Sequence, residues 1–162
     1  MHFIENKTFD EISVGDSAEL TRTLKAEDIE LFAVMSGDVN PAHLDQEYAQ
    51  ENMFHRVIAH GMWGGALISA VLGTELPGPG TIYLKQSLEF RRPVGIGDKV
   101  TVKVSVKEKR ADKKHLVLDC QCLNQDGEPV IEGEATVIAP QEKVRRARVS
   151  LPEVHLHERG AR

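Results

Sequence analysis

The sequence predicts an α+β domain in which a curled antiparallel sheet wraps one long buried helix. Three features carry that expectation. Residues Gly61 to Gly73 are apolar on every face except at Ser69, and a helix that is hydrophobic all round needs burial on all sides. Pro77-Gly78-Pro79-Gly80 then breaks the chain. Beyond it, apolar residues alternate with polar ones, as they do on strands with one buried face. An apolar helix followed by such a meander hides its surface by letting the sheet close around it.

Taken in order, Ser17 to Leu24 reads as a short strand. Ile29, Phe32, Ala33 and Ser36 then fall at helical spacing on one face. Glu27 and Asp28 suit the first turn of that helix, Lys25 is a poor N-cap, and Gly37 is placed to end it in a left-handed conformation. A compact polar loop, Asp38 to His43, leads into a second short helix over about Gln46 to Asn52. The apolar helix would be roughly 20 Å long at 1.5 Å per residue. Its four glycines lower its propensity but let another backbone or a ligand approach closely.

Strands are expected at Ile82 to Phe90, Lys99 to Lys107, His115 to Leu123 and Ile131 to Val137. Valines 100, 102, 104 and 106 share one face, as do Leu116, Leu118, Cys120 and Cys122, and then Ile131, Gly133, Ala135 and Val137. Gly95 to Asp98, Asp112 to Lys114 and Asn124 to Gly127 supply the turns. From Pro140 the periodicity is lost. The chain therefore reads as one domain over 1–140 and a charged, extended tail or linker over 141–162.

With 162 residues, one domain of this kind buries roughly two thirds of its unfolded surface. A net charge of −5 gives no electrostatic reason to expect nucleic acid or an anionic membrane as partner. The polar start, Met1 to Asp10, has no signal-peptide core, and the apolar stretch is too short to span a bilayer. Cys120 and Cys122 sit two apart on one strand face and read as reduced core residues, since two thiols alone make a poor zinc site. A reducing cytoplasm fits that reading.

The informative stretch is Ser36-Gly37-Asp38-Val39-Asn40-Pro41-Ala42-His43-Leu44-Asp45, followed by Ala59-His60-Gly61-Met62. Pro41 fixes its own φ and restricts Asn40, so a carboxylate and an imidazole five residues apart are held by a stiff bracket. That pairing suits general acid–base chemistry on one water or one substrate atom. Gly61 opens the apolar helix, where the first N–H groups lack intrahelical partners and can stabilise a developing negative charge. Other readings stand beside these. Asp38 alone reads as a loop carboxylate on nearby N–H groups, His43 alone as a hydrogen-bonded histidine, and Ser69 as a hydroxyl bonded back to the preceding turn. Asp38, His43 and His60 are possible metal ligands, but no H-x-x-x-H spacing supports a metal and none is expected. His155 and His157 in the tail are weaker still.

Ser36-Gly37-Asp38-x-Asn40-Pro41-x-His43-x-Asp45 resembles the hydratase 2 motif of MaoC-like proteins, the (R)-specific enoyl-CoA hydratases. The likeness runs on through His60-Gly61-Met62, Leu72-Gly73, Leu76-Pro77-Gly78 and Ile82-Tyr83-Leu84-x-Gln86-Ser87-Leu88-x-Phe90, and covers roughly Phe9 to Ala139. It implies the hot-dog fold and reversible hydration of trans-2-enoyl-CoA to (R)-3-hydroxyacyl-CoA, with no cofactor beyond the CoA thioester substrate. By the same resemblance, Asp38 is the base and His43 passes a proton to the α-carbon. Gly61 binds the thioester oxygen, Asn40 and Ser69 support the site, and Met62, Trp63, Ile82, Tyr83 and Leu84 wall the acyl pocket. Charge alone suggests Lys85, Arg91 or Arg92 for the CoA phosphates.

Ala42 departs from the family, which usually has a larger aliphatic residue there. Trp63-Gly64-Gly65 is also an unusual opening for the helix, and an inward Trp63 would favour short acyl chains. The resemblance further implies a homodimer. The chain is also similar to the N-terminal hydratase-like domain of bifunctional hydratase/phosphate acetyltransferase proteins, which would place a fused acetyltransferase after the tail. Two alternatives remain open: a hot-dog acyl-CoA thioesterase, and a non-catalytic acyl-thioester binding module.

Overall fold

The alternating segments become strands and the apolar segment a helix, nearly where their patterns place them. The computed structural model describes residues 2–159. In chain order it holds Phe3–Glu5 (β1), a 3-10 turn at Phe9–Glu11, Ser17–Thr23 (β2), Ala26–Ser36 (α1), Pro41–Leu44 (α2), Gln46–Glu51 (α3), Gly61–Thr74 (α4), Ile82–Phe90 (β3), Lys99–Arg110 (β4), His115–Leu123 (β5), Pro129–Ile138 (β6) and Arg145–Ala147 (β7). β2, β4, β5, β6 and β3 form, in that order, a five-stranded antiparallel sheet. This is the hot-dog arrangement, with the sheet folded around α4.

The inner face is made by the expected residues. Val100, Val102, Val104, Val106, Leu116, Leu118, Cys120, Cys122, Ile131, Ala135 and Val137 are all buried, and Trp63, Gly64, Leu67, Ile68, Val71 and Leu72 of α4 pack into the same core. Gly133 breaks the run of inner side chains because the backbone of its paired neighbour β3, with Leu88 opposite it, comes unusually close. A Cβ there would lie 1.9 Å from the Ser87 carbonyl oxygen.

The expectation that α4 is buried on every side needs correction. Met62, Ala66, Ser69 and Gly73 form an exposed stripe along it. One sheet wraps only part of a helix, and this stripe emerges past β3, which is an edge strand. Beside it Ile82, Tyr83 and Leu84 also keep much of their surface exposed.

Two other segments are more ordered than their sequence suggests. Pro41 to Leu44, read as loop, forms a single helical turn, because Pro41 takes the first position and the Asn40 side chain accepts a hydrogen bond from the Ala42 N–H at 3.0 Å. The tail read over 141–162 begins with β7, which pairs antiparallel with β1. Buried Asn6 joins these pieces: its side-chain amide donates to the Pro79 and Glu142 carbonyls, each at 2.9 Å, and its carbonyl oxygen accepts from the Val144 N–H at 3.0 Å. A buried amide so satisfied fixes the chain locally. Residues 148–159 carry no helix or strand. Gly160 to Arg162 lie outside the described residues.

Candidate active site

The ends of α1 and α2 and the start of α4 bring the candidate residues together. Asp28 Oδ2 accepts from the Lys25 N–H at 2.9 Å, so the N-terminus of α1 is closed by its third residue rather than by the lysine side chain. Gly37 ends α1 at φ 77°, with its N–H on the Ala33 carbonyl. That left-handed residue turns the chain so that Asp38 starts the next loop. The Asp38 N–H is then held by Ser36 Oγ at 3.1 Å, while its own Oδ1 accepts from the Asn40 N–H at 3.1 Å. Asn40 thus supports the site twice, through the Asp38 carboxylate and through the cap of α2.

His43 stands on α2, and its Nδ1 lies 2.8 Å from the Ile58 carbonyl oxygen. A carbonyl can only accept, so Nδ1 carries the hydrogen and Nε2 is left for chemistry. His60, the N-cap of α4, is buried, and its Nε2 lies 3.0 Å from the Asp38 carbonyl oxygen. The His43 and His60 rings stack with centroids 3.9 Å apart and planes 28° from parallel, and Phe32 covers the other neighbour at 4.6 Å. One ligating atom each of Asp38, His43 and His60 lies within 4.8 Å of the other two. Histidine binds a metal along an in-plane lone pair, and two stacked, nearly parallel rings do not aim their lone pairs at one point. The arrangement therefore favours proton transfer over metal binding.

A cavity of about 270 Å³ opens beside these groups, lined in part by His43, His60, Gly61, Trp63 and Phe90. Ile131, Cys122 and Val100 lie among its apolar walls. Gly61 presents the first N–H of α4 at this cavity. A Cβ at Gly61 would meet the Phe90 ring at 2.9 Å, and one at Gly64 would meet Ile131 Cδ1 at 2.3 Å. Both glycines therefore let the Phe90 and Ile131 walls pack close against α4.

The residues expected to form the acyl wall divide into two groups. Trp63 faces the cavity shared with His43 and Gly61, whereas Met62, Tyr83, Leu84 and Ser69 line a separate open groove between α4 and β3. Ile82 lies at the start of β3, on the edge of the sheet. Of the three basic candidates, Arg91 and Arg92 reach the cavity rim but are engaged by acidic neighbours, Arg91 by Glu89 and Glu132 and Arg92 by Glu128. Lys85 lines another hollow with Arg110 and Lys113. The sequence reading missed Phe54, Phe90 and Ile131 as cavity residues, and it grouped His60 with Asp38 and His43 only as possible metal ligands. Gly64 was the available signal for the first omission, since a glycine inside a helix marks a close approach.

A carboxylate beside an imidazole, with that imidazole sharing a cavity with a helix N-terminus in a hot-dog domain, has the parts of an acid–base site. Residues 11–120 match the model of the MaoC like domain, and the chain belongs to that family. It is 51% identical over 132 residues, 82% of this chain and 91% of the relative, to an "(R)-specific enoyl-CoA hydratase" of Rhodospirillum rubrum. It is 44% identical to a "3-hydroxybutyryl-CoA dehydratase" of Methylorubrum extorquens, with 83% of this chain and 85% of the relative covered. Among solved structures, the unliganded R-hydratase PhaJ1 of Pseudomonas aeruginosa superposes with a TM-score of 0.92 at 44% identity, covering 96% of this chain and 100% of that one.

Proposed function

We propose that this protein is an enoyl-CoA hydratase that reversibly adds water to trans-2-enoyl-CoA, giving (R)-3-hydroxyacyl-CoA. The observation that carries the reading is the convergence of the Asp38 carboxylate with the His43 imidazole, which in turn shares one apolar cavity with the Gly61 end of α4. The relatives' names supply the substrate class and the stereochemistry.

In this mechanism the thioester oxygen accepts from the Gly61 N–H, which stabilises the enolate as it forms. Asp38 takes a proton from water as the oxygen bonds to the β-carbon. Protonated His43 delivers a proton from Nε2 to the α-carbon, and the proton on Asp38 then returns to His43. Water is thereby added with no net change in the enzyme. The Ile58 carbonyl keeps the His43 ring oriented throughout. Asn40 holds the carboxylate. Trp63 limits acyl length in the cavity, whereas Ser69, Met62, Tyr83 and Leu84 lie in the separate α4 groove and do not meet the acyl chain there. CoA is the substrate's own carrier, so no further cofactor enters the reaction.

A second copy of the chain completes the assembly in this reading. The exposed α4 stripe and the unpaired edge of β3 form one continuous apolar face, and pairing two such edges removes both from solvent. The unpaired, buried thiols of Cys120 and Cys122 support a reducing cytoplasm as its location. No helix among the described residues is long and apolar enough to cross a membrane. Product analysis with crotonyl-CoA tests the reaction type. Intact 3-hydroxybutyryl-CoA, oxidised by an (R)-specific but not an (S)-specific dehydrogenase, is the expected product. Release of free CoA thiol would move the assignment to a thioesterase.

A further inference from the structure

We propose that His60 is a positioning residue that holds Asp38 and His43 in working register. The inference rests on the hydratase reading of that pair. His60 is 3% exposed, and its Nε2–H is spent on the Asp38 backbone carbonyl at 3.0 Å. Its ring lies as a slab against the His43 ring at 3.9 Å, so it restrains one working residue through the main chain and the other through its ring face. It also caps α4, which places it directly before the N–H of Gly61. Its side chain thus spaces base and acid, while its position as the N-cap residue, with no side-chain capping bond, sets it directly before the oxyanion donor.

The polar arrangement of His60 is unusual for a merely structural histidine. Its Nδ1 is buried with no hydrogen-bond partner, an arrangement rare enough in folded proteins to call for a reason. Donation from Nε2 leaves Nδ1 as a bare lone pair. The Asp38 carbonyl alone therefore fixes the tautomer, and the ring's one hydrogen bond goes to the loop that carries the base. Phe32, stacked at 4.6 Å, holds the ring in that plane.

The two contacts can be separated by substitution. Gln at position 60 can place an amide N–H near Nε2 but has no ring, whereas Phe keeps the ring and has no donor. With crotonyl-CoA, His60→Ala is expected to lower kcat by about 30-fold or more while KM moves less than about threefold, the split expected when transition-state geometry is lost and binding is kept. His60→Gln and His60→Phe should each recover part of that loss. Where His60→Ala does not fold, the same kcat-against-KM split is read from the Gln and Phe variants. A kcat within threefold of wild type in the Ala variant, or in both of the others, overturns the proposal, as does a loss carried by KM. Asp38→Asn is measured alongside. If it abolishes turnover while the position-60 variants stay within threefold of wild type, this inference alone fails. If Asp38→Asn stays active, the reading of the pair itself fails.

Discussion

Single residues do several jobs in this site, and His43 shows how. With Nδ1 on the Ile58 carbonyl, the ring has one free nitrogen and one orientation, so its chemistry is set by a backbone atom fifteen positions along the chain. Trp63 makes a second point at this scale. It faces the cavity beside Gly64, and a smaller side chain there deepens the apolar space. Trp63→Phe is expected to raise kcat/KM for an eight-carbon enoyl-CoA relative to crotonyl-CoA by about tenfold, the discrimination that one or two methylenes supply. An unchanged ratio in steady-state assays would show that the acyl chain does not meet Trp63.

Burial pushes the thiols of Cys120 and Cys122 up to about 11 and about 12 from an ordinary value of 9.0. Below pH 9 both native and unfolded states keep these protons. Above it the unfolded chain ionises first, so native stability falls as pH rises from 9 toward 12. Urea midpoints measured across that range should fall more steeply for wild type than for Cys122→Ala. In the native protein near neutral pH, neither thiol should react with a disulfide reagent until the chain is unfolded.

Among the elements, α2 and β6 show what local pattern can and cannot specify. The Asp-x-Asn-Pro-x-His spacing was legible as a stiff bracket because proline restricts two residues without outside help. That it becomes a helical turn depends on the Asn40 side chain reaching the Ala42 N–H, which competes with other loop conformations. Asn40→Ala should lower stability by about 1 kcal/mol, the usual worth of such a cap, and lower kcat more than stability alone accounts for, since the turn that carries His43 loses its cap while the Asn40 main-chain N–H to the Asp38 carboxylate is kept. Paired thermal melts and kinetics separate the two effects. Gly133 belongs to the opposite case. Its alternation with Ile131 and Ala135 marked an inward face, but only the path of β3 reveals a backbone oxygen 1.9 Å from a Cβ there. Gly133→Ala should destabilise by about 3 kcal/mol or more, since backbone must move, and differential scanning calorimetry reads the shift.

For the whole molecule, sheet and helix were legible because burial imposes a period on each, two for the strands and near-continuous apolarity for α4. What the pattern hid is the exposed stripe of Met62, Ala66, Ser69 and Gly73. Small and apolar residues look the same in sequence whether they face a sheet or a second copy of the chain. The β1–β7 pair was hidden for a related reason: strands of three residues each are too short to show alternation, and their stability comes from Asn6 and its distant partners. The assembly reading places the α4 stripe and β3 edge between two copies. Light scattering should give twice the chain mass, and Leu84→Asp on the edge should shift that mass toward a single chain. A mass of one chain for the wild type would contradict the assembly.

The most direct measurement is the loss of conjugated-thioester absorbance when the protein meets crotonyl-CoA, with Asp38→Asn and His43→Ala run beside it. Acid–base partners of this kind typically contribute 10²- to 10⁴-fold, so each variant should fall by about 100-fold or more while folding as the wild type does. Rapid loss of absorbance in wild type with either variant within about threefold of it would contradict the account, because turnover would then not depend on the pair that the fold brings together.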